Sequence, residues 1–324
     1  MVKALQKKKF TRIFFATDIH GSEKVFLKFI GAAKFYGVDV LILGGDITGK
    51  MVVPVREQAD GTFKCEFMDQ KWHVKKEEVE KLEEKIKFVG FYPYRTTEGG
   101  AKKLYSSPKE YEKVYKRLAT DRLKRWIEIV QERLKDTDIK VYIAGGNDDP
   151  PYIADLLTSS NLNPEERVIY IDENHEMVSL AYSNITPWKT PRECSEEKLA
   201  KKIEDLLTKV ENMENCIFNF HVPPINSTID TAPKVDATTM PPKYVVERGV
   251  PVMIGAGSVA VREAIEKHQP LLGLHGHIHE SRGAIKIGRT LCVNPGSEYS
   301  EGILRGVIIS FDEKGIKGYQ FTSG

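Results

Sequence analysis

This 324-residue sequence predicts an α/β fold whose core is interrupted by a long, mostly helical insertion. Three observations lead there. Five short apolar runs, several bounded by glycine, read as buried strands: Ile13–Thr17, Leu41–Gly45, Val141–Gly146, Ile217–Phe220 and Leu271–Leu274. Several segments between these runs repeat apolar residues at helical spacing. The tail, from Ile285 to Phe321, instead alternates short β-rich runs with turns at Gly288, Pro295-Gly296 and Lys314-Gly315, and reads as the antiparallel part of a second sheet.

After the first strand, Ser22 is placed to cap a helix carrying Val25, Phe26, Phe29, Ile30 and Ala33 on one face, with Gly37 as its stop. The second and third strands are then separated by about a hundred residues, far more than a strand–helix–strand link needs. That stretch has its own structure. Met51–Val55 and Thr62–Met68 flank Asp60-Gly61 and predict a β-hairpin. Val74, Val79, Leu82, Ile86 and Val89 recur at helical spacing. Ser107-Pro108-Lys109-Glu110 combines a capping box with proline at the first helical position, ahead of a long amphipathic helix through Leu134. The expected division is therefore a core of residues 1–50 and 140–324 and an inserted cap of residues 51–139. Ser195 and Ser258 begin two further helices, the second closed out by Pro270. A Thr- and Pro-rich excursion from Ile225 to about Val250 reads as a loop beside the site.

The residues that terminate the apolar runs matter most. The runs lead into Asp18-Ile19-His20, Asp46, Asn147-Asp148-Asp149, His221, and His275-Gly276-His277-Ile278-His279. Ligands of open α/β sheets gather beyond the carboxyl ends of the strands, so five such ends describe one site. Asp18 and His20 stand at i and i+2, which puts both side chains on the same face of an extended segment; His277 and His279 repeat the spacing. Carboxylate, carboxamide oxygen and imidazole suit Mn, Fe or Zn. Asp18, His20, Asp46, Asn147, His221, His277 and His279 are too many for one ion. They suffice for two divalent ions sharing a carboxylate, an arrangement that clamps attacking and leaving oxygens in phosphoryl displacement. Manganese is the first expectation, with Fe, Zn or Ni as alternatives. Isolated His73, His175 and His268 are given no role, and His275 is expected to hydrogen-bond rather than bind metal. The glycine pairs Gly44-Gly45 and Gly145-Gly146 are read as letting the backbone come close to the ions.

The ordered set Asp-x-His, Gly-Asp, Gly-Asn, His and Gly-His-x-His resembles the signature of the calcineurin-like metallophosphoesterase superfamily, here Asp18-Ile19-His20, Gly45-Asp46, Gly146-Asn147, His221 and Gly276-His277-Ile278-His279. Asn294-Pro295-Gly296-Ser297 also resembles a motif of its smaller phosphodiesterase-like members. The resemblance implies a two-sheet α/β/β/α core. One metal would take Asp18, His20 and His279, the other Asn147, His221 and His277, and Asp46 would bridge them. It also implies hydrolysis of a phosphate monoester or small phosphodiester, with metal-bound hydroxide as nucleophile. Where most members carry a His after the ligand Asn, this chain has Asp148, followed by Asp149 at the position of the family's acidic residue. Asp148 is the candidate catalytic acid, a role that requires a pKa raised toward neutrality.

Composition fits a globular enzyme, at 41% hydrophobic and 29% charged residues. Four scattered cysteines form no C-x-x-C pair and no disulfide framework, consistent with a reducing compartment. Lys7-Lys8-Lys9 runs into the first strand rather than into a signal-peptide apolar region, and no run reaches transmembrane length, so the expected location is cytoplasmic with no membrane contact. Residues 71–135 hold 18 Lys/Arg against 11 Asp/Glu, interleaved with aromatics, while the whole chain nets only +2. That stretch reads first as a solvated helix surface and second as a base-stacking patch. The expected partner is a phosphorylated small molecule or nucleotide. Nucleic acid as a nuclease substrate is less favoured, and a scaffold that keeps fold and metals is the alternative of a different class.

Overall fold

The computed structural model describes residues 10–239 and 242–324, so Lys7-Lys8-Lys9 lies outside the described residues. The elements begin with β1 (Thr11–Ala16), α1 (Glu23–Tyr36), β2 (Val40–Leu43), β3 (Val52–Glu57), β4 (Phe63–Phe67), β5 (Gln70–Val74), α2 (Val79–Phe88) and β6 (Tyr92–Thr97). Next come α3 (Glu98–Ser106), α4 (Pro108–Leu134), β7 (Lys140–Ile143), α5 (Tyr152–Ser159), β8 (Val168–Tyr170), β9 (Glu176–Leu180), α6 (Glu196–Leu207) and β10 (Ile217–Phe220). The chain ends with α7 (Val259–His268), β11 (Leu272–Leu274), β12 (Gly283–Ile287), β13 (Thr290–Asn294), β14 (Arg305–Asp312) and β15 (Gly315–Ser323).

Two sheets form the core. The first has the order β15-β14-β1-β2-β7 and the second β12-β13-β11-β10-β9-β8. β1, β2 and β7 pair in parallel, as do β9, β10, β11 and β13, while β14, β15, β12 and β8 join by antiparallel pairing. Strand alternation explains the layers. Ile13, Phe15, Val40 and Ile42 face the second sheet and pack with Ile217, Leu272, Leu274 and Val293. On the opposite face, Phe14, Leu41 and Ile143 meet α1, α4 and α5. Phe218, Phe220 and Val178 of the second sheet meet α6 and α7. The result is a four-layer α/β/β/α sandwich, and apolar residues on both faces of the parallel strands are what such burial demands.

Four local expectations are corrected. The tail does not belong to one sheet: β12 and β13 join the second, but β14 and β15 join the first. Val307, Ile309 and Phe311 of β14 face the inter-sheet core, and the strand pairs antiparallel with β1. Ser22 precedes α1, but its hydroxyl donates to Phe88 O at 2.9 Å instead of capping the helix. Val74 lies in β5, and its helix begins only at Val79. The excursion after Ile225 is laddered rather than irregular, Thr231–Pro233 pairing with Met253–Gly255 and Val235–Asp236 with Lys243–Tyr244; Met240 and Pro241 lie outside the described residues. Other readings match the structure: Gly37 is left-handed at the end of α1, and the Ser107 and Ser258 hydroxyls accept from Glu110 N and Val261 N.

The segment expected as a cap packs in two ways. β5-β4-β3-β6 form a separate sheet that shares its own apolar cluster with α2, including Val53, Val55, Phe63, Leu82 and Ile86. In contrast, Leu123, Trp126, Ile127 and Val130 of α4 enter the main core beside α1, where the Trp126 and Phe26 rings stack at 4.2 Å. The long helix thus leaves the smaller unit partway along its length, and residue 139 is no packing boundary. The aromatics of the basic stretch are largely engaged: Tyr92 and Trp126 are buried, and Arg117 lies over Tyr94. All four cysteines are free thiols. Among the described residues, no helix is long and apolar enough to cross a membrane.

Candidate metal centre

The loops leaving β1 and β2 are joined by their backbones. Asp18 N donates to Gly45 O, His20 N to Asp46 O and Gly21 N to Ile47 O, each at 2.9 Å. This pairing places Asp18, His20 and Asp46 in the left-handed region, with φ of 54°, 38° and 48°, and His277 joins them at 66°. Such conformations disfavour residues with a Cβ and concentrate at functional sites. The loop after β11 is tied in by His277 N, which donates to Asp18 Oδ2 at 3.0 Å. The loop after β7 is tied in by Asp148 N, which donates to Asp46 Oδ1 at 2.9 Å. His221, beyond β10, sets its Nδ1 3.2 Å from Gly44 O.

All seven candidate ligands are thereby brought together. Asp18, His20 and His279 form one group whose donor atoms lie within 4.8 Å of one another; Asp46, His221 and His277 form a second, and His20, Asp46 and Asp148 a third. His20 Nε2 is 3.1 Å from His279 Nε2 and 3.8 Å from Asp46 Oδ2. His221 Nε2 is 3.4 Å from Asp46 Oδ2 and 3.8 Å from Asp18 Oδ1. Asn147 Oδ1 is 2.7 Å from His277 Nδ1. Asp46 is therefore central, close to members of both histidine sets.

The donor set fits divalent cations. Asp18 and Asp46 are buried, and His221 Nε2 and His20 Nδ1 are enclosed without a hydrogen-bond partner, a costly state unless an acceptor-seeking cation is present. Burial works to raise both carboxyl pKa values, but the neighbouring histidines, His221 foremost, hold each well below the usual carboxylate range. Burial would lower His221, yet Asp46 and Asp18 push it up to about 10. Burial, and then the charge of Lys50, keeps His20 well below its usual value. His277 falls to about 4 through burial and the charge of His221. Burial and then repulsion from Asp46 lift Asp148 to about 7, with Lys50 opposing.

Residues behind the ligands fix their loops. Asp149 is buried and accepts from Ile47 N, Thr48 N, Thr48 Oγ1 and Gly146 N at 2.6–3.0 Å, binding the loop after β7 to that after β2. Asn147 Nδ2 donates to Thr190 Oγ1 at 2.9 Å, which donates on to Glu193 at 2.7 Å. Asn294 Nδ2 donates to the carbonyls of Ile278, Ile229 and Gly276, and Ser297 Oγ donates to Asp18 O at 2.6 Å. His275 sets its Nδ1 2.8 Å from Phe220 O. The three isolated histidines lie with Thr62, Asp172 and Glu204, as ordinary hydrogen-bonding residues. Sequence reasoning missed Lys50, Thr190 and Tyr299, whose ring centroid is 4.7 Å from that of His20. Lys50 stands four residues beyond Asp46, the one signal that could have drawn attention to it.

The motif set at one rim of this two-sheet core resembles that of the calcineurin-like metallophosphoesterases. No family model matches the chain. Over 172 residues it is 34% identical to an uncharacterized protein, MJ1162, of Methanocaldococcus jannaschii, a match spanning 52% of this chain and 70% of that one. The chain belongs to the same family as this archaeal protein. A crystal structure with 16% identity shares the fold at a TM-score of 0.57, covering 97% of this chain and 98% of that one. A dimetal phosphatase from Danio rerio is also similar, at 9% identity and a TM-score of 0.42 over 97% and 98% of the two chains, too low to bear on function.

Proposed function

We propose that this chain is a dinuclear metal-dependent phosphoesterase acting on a phosphate monoester or small phosphodiester. The observation that carries the reading is the convergence of seven carboxylate, carboxamide and imidazole donors from five loops, with Asp46 between two histidine-bearing groups. In this reading Asp18, His20 and His279 hold one ion, Asn147, His221 and His277 the other, and Asp46 is shared. Two divalent ions, manganese foremost, would supply a water nucleophile at neutral pH and Lewis-acid stabilisation of the phosphoryl oxygens. The chain's own contribution is placement. The interlocked loops fix the donors before ions or substrate arrive, and Asp149, Asn294 and Ser297 keep those loops from drifting. Asp148 faces the centre from its rim, where its carboxyl can meet a leaving-group oxygen. The smaller sheet and its helices are the proposed cap, a unit for selecting substrate rather than supplying ligands.

Metal analysis of the purified protein, with parallel turnover of p-nitrophenyl phosphate and bis-p-nitrophenyl phosphate under manganese, tests the reading. Two ions per chain and hydrolysis of at least one ester are expected. A protein that holds no metal, or holds two ions and hydrolyses neither ester, would overturn it.

A further inference from the structure

Lys50 lies just past the Asp46 loop and turns back toward the centre. Its ammonium lies 3.4 Å from Asp148 Oδ2, and that oxygen lies 3.8 Å from His20 Nδ1. The Lys50 side chain is 44% exposed and that of Asp148 24%, so the ammonium approaches from the solvent side, where a substrate must enter. Asp46, Asp18 and Tyr299 all feel its charge. The peptide before it is fixed from both sides: Gly49 N donates to Tyr92 Oη at 2.8 Å, and Tyr115 Oη donates to Gly49 O at 2.7 Å. Both tyrosines come from the inserted segment. A lysine kept only for solubility needs no such anchorage. A cation aimed at a site that also collects metal ions is repelled by them, unless an anion comes between.

We propose that Lys50 binds a phosphoryl oxygen of the substrate, with Asp148 holding the ammonium in place until that oxygen arrives. The inference rests on the phosphoesterase reading and deepens it. Lys50 would supply positive charge where the resemblance calls for a His and this chain has an Asp. Its three rotatable donors suit a group whose oxygens are redistributed during displacement. The anchored Gly49 peptide would also let the inserted segment act on substrate binding without contributing a ligand.

The test measures binding rather than turnover alone. Manganese-loaded wild type, Lys50→Met and Lys50→Arg are compared for metal content, melting temperature and affinity for inorganic phosphate by equilibrium dialysis. Losing one charge-assisted contact should weaken phosphate binding by about tenfold or more in Lys50→Met. Both ions and the melting temperature should be retained, and Lys50→Arg should recover most of the affinity. A parallel rise in KM for p-nitrophenyl phosphate is expected. Wild-type phosphate affinity in a fully loaded Lys50→Met would overturn the proposal. So would loss of ions or of folding stability in that variant, because Lys50 would then organise the site rather than bind substrate. A wild type that takes up no metal is a separate failure: it refutes the dinuclear reading itself, and the role of Lys50 with it.

Discussion

Gly146→Ala adds one methyl group beside Asp46 and changes no charge or donor. A Cβ at Gly146 would lie 2.2 Å from Asp46 Oδ1 and 2.4 Å from Asp46 N, where ordinary contact begins at 3.4 Å. Moving the carboxyl oxygen alone leaves the contact with Asp46 N, so the Asp46 backbone or the loop after β7 must shift by about 1 Å. Either movement strains the bond from Asp148 N to Asp46 Oδ1 at 2.9 Å. Overpacking of this kind costs roughly 1–3 kcal/mol of stability, which a chain with three large apolar cores between its layers should survive. Misplacing a catalytic group by about 1 Å can cost about a hundredfold in rate. The expected result is a folded protein with lowered metal occupancy and turnover reduced about a hundredfold or more.

The assay is hydrolysis of the chromogenic esters, read with metal content and thermal unfolding. Gly31→Ala is the control, since a Cβ there meets nothing within 4 Å and Gly31 lies in α1. It should be neutral or stabilising by up to about 1 kcal/mol. Full turnover by Gly146→Ala with two ions bound would refute a central place for Asp46. Sequence alone suggested that glycines here let the backbone approach ions. The structure shows a nearer constraint, the side chain of a candidate ligand, and Gly45 repeats it with a Cβ only 2.3 Å from His221 Nδ1.

Asp46→Asn keeps the shape but removes the shared charge, and should lose metal occupancy and activity together; full activity with two ions would sink the bridging assignment. Asp148→Asn should slow alkyl phosphates more than p-nitrophenyl esters, because a phenolate leaves with little need of a proton; equal effects on all substrates would remove Asp148 from that step. A third prediction concerns stability. Burial would raise Asp172, but the bonds from His175 and Thr11 hold it at about 2. Its unfolded value is about 3.9, so its contribution is present in full above that pH and is lost as pH falls through about 2. Asp172→Asn should remove roughly 1 kcal/mol of stability at neutral pH, allowing for partial exposure, and flatten the acid limb of the unfolding profile below pH 4. An unchanged acid limb would show that the His175 pairing carries no net stability.

The clustering of the candidate ligands was legible because metal chemistry restricts residue choice. Few side chains can hold a hard cation, and strand ends are where an α/β sheet presents them, so Asp18 through His279 stood out. The layers were legible for a related reason: Phe14 and Phe15 are both buried because both faces of β1 are covered. The tail failed because alternation marks a strand without saying which sheet receives it; β14 belongs beside β1 on account of a pairing 290-odd residues away in sequence. One amphipathic helix can serve two cores, and only packing shows α4 passing from one apolar cluster to the other before Trp126. Lys50 was invisible for the opposite reason to the ligands. In a chain with 48 Lys and Arg residues, a lysine becomes notable only once its position is known.

The centre itself is built at some cost to the fold. Four of its candidate ligands hold positive φ, and an L-residue in that region costs roughly 1–2 kcal/mol, so about 4–8 kcal/mol of backbone strain collects in the loops. Two buried carboxylates add repulsion, relieved by the histidines but not removed. Ions that bind only the folded arrangement would return this energy. At a free metal concentration a hundred times the dissociation constant the gain is about 2.7 kcal/mol. Chelation should therefore lower the melting temperature by several degrees, and manganese should restore it, while sodium at equal ionic strength should not. Hydrogen exchange should locate the loosening in the loops after β1, β2 and β11, where the strained residues lie, and leave the inter-sheet strands protected. Superimposable melting curves for chelated and manganese-loaded protein would mean that the strain is held by the surrounding layers alone, with nothing returned by bound ions.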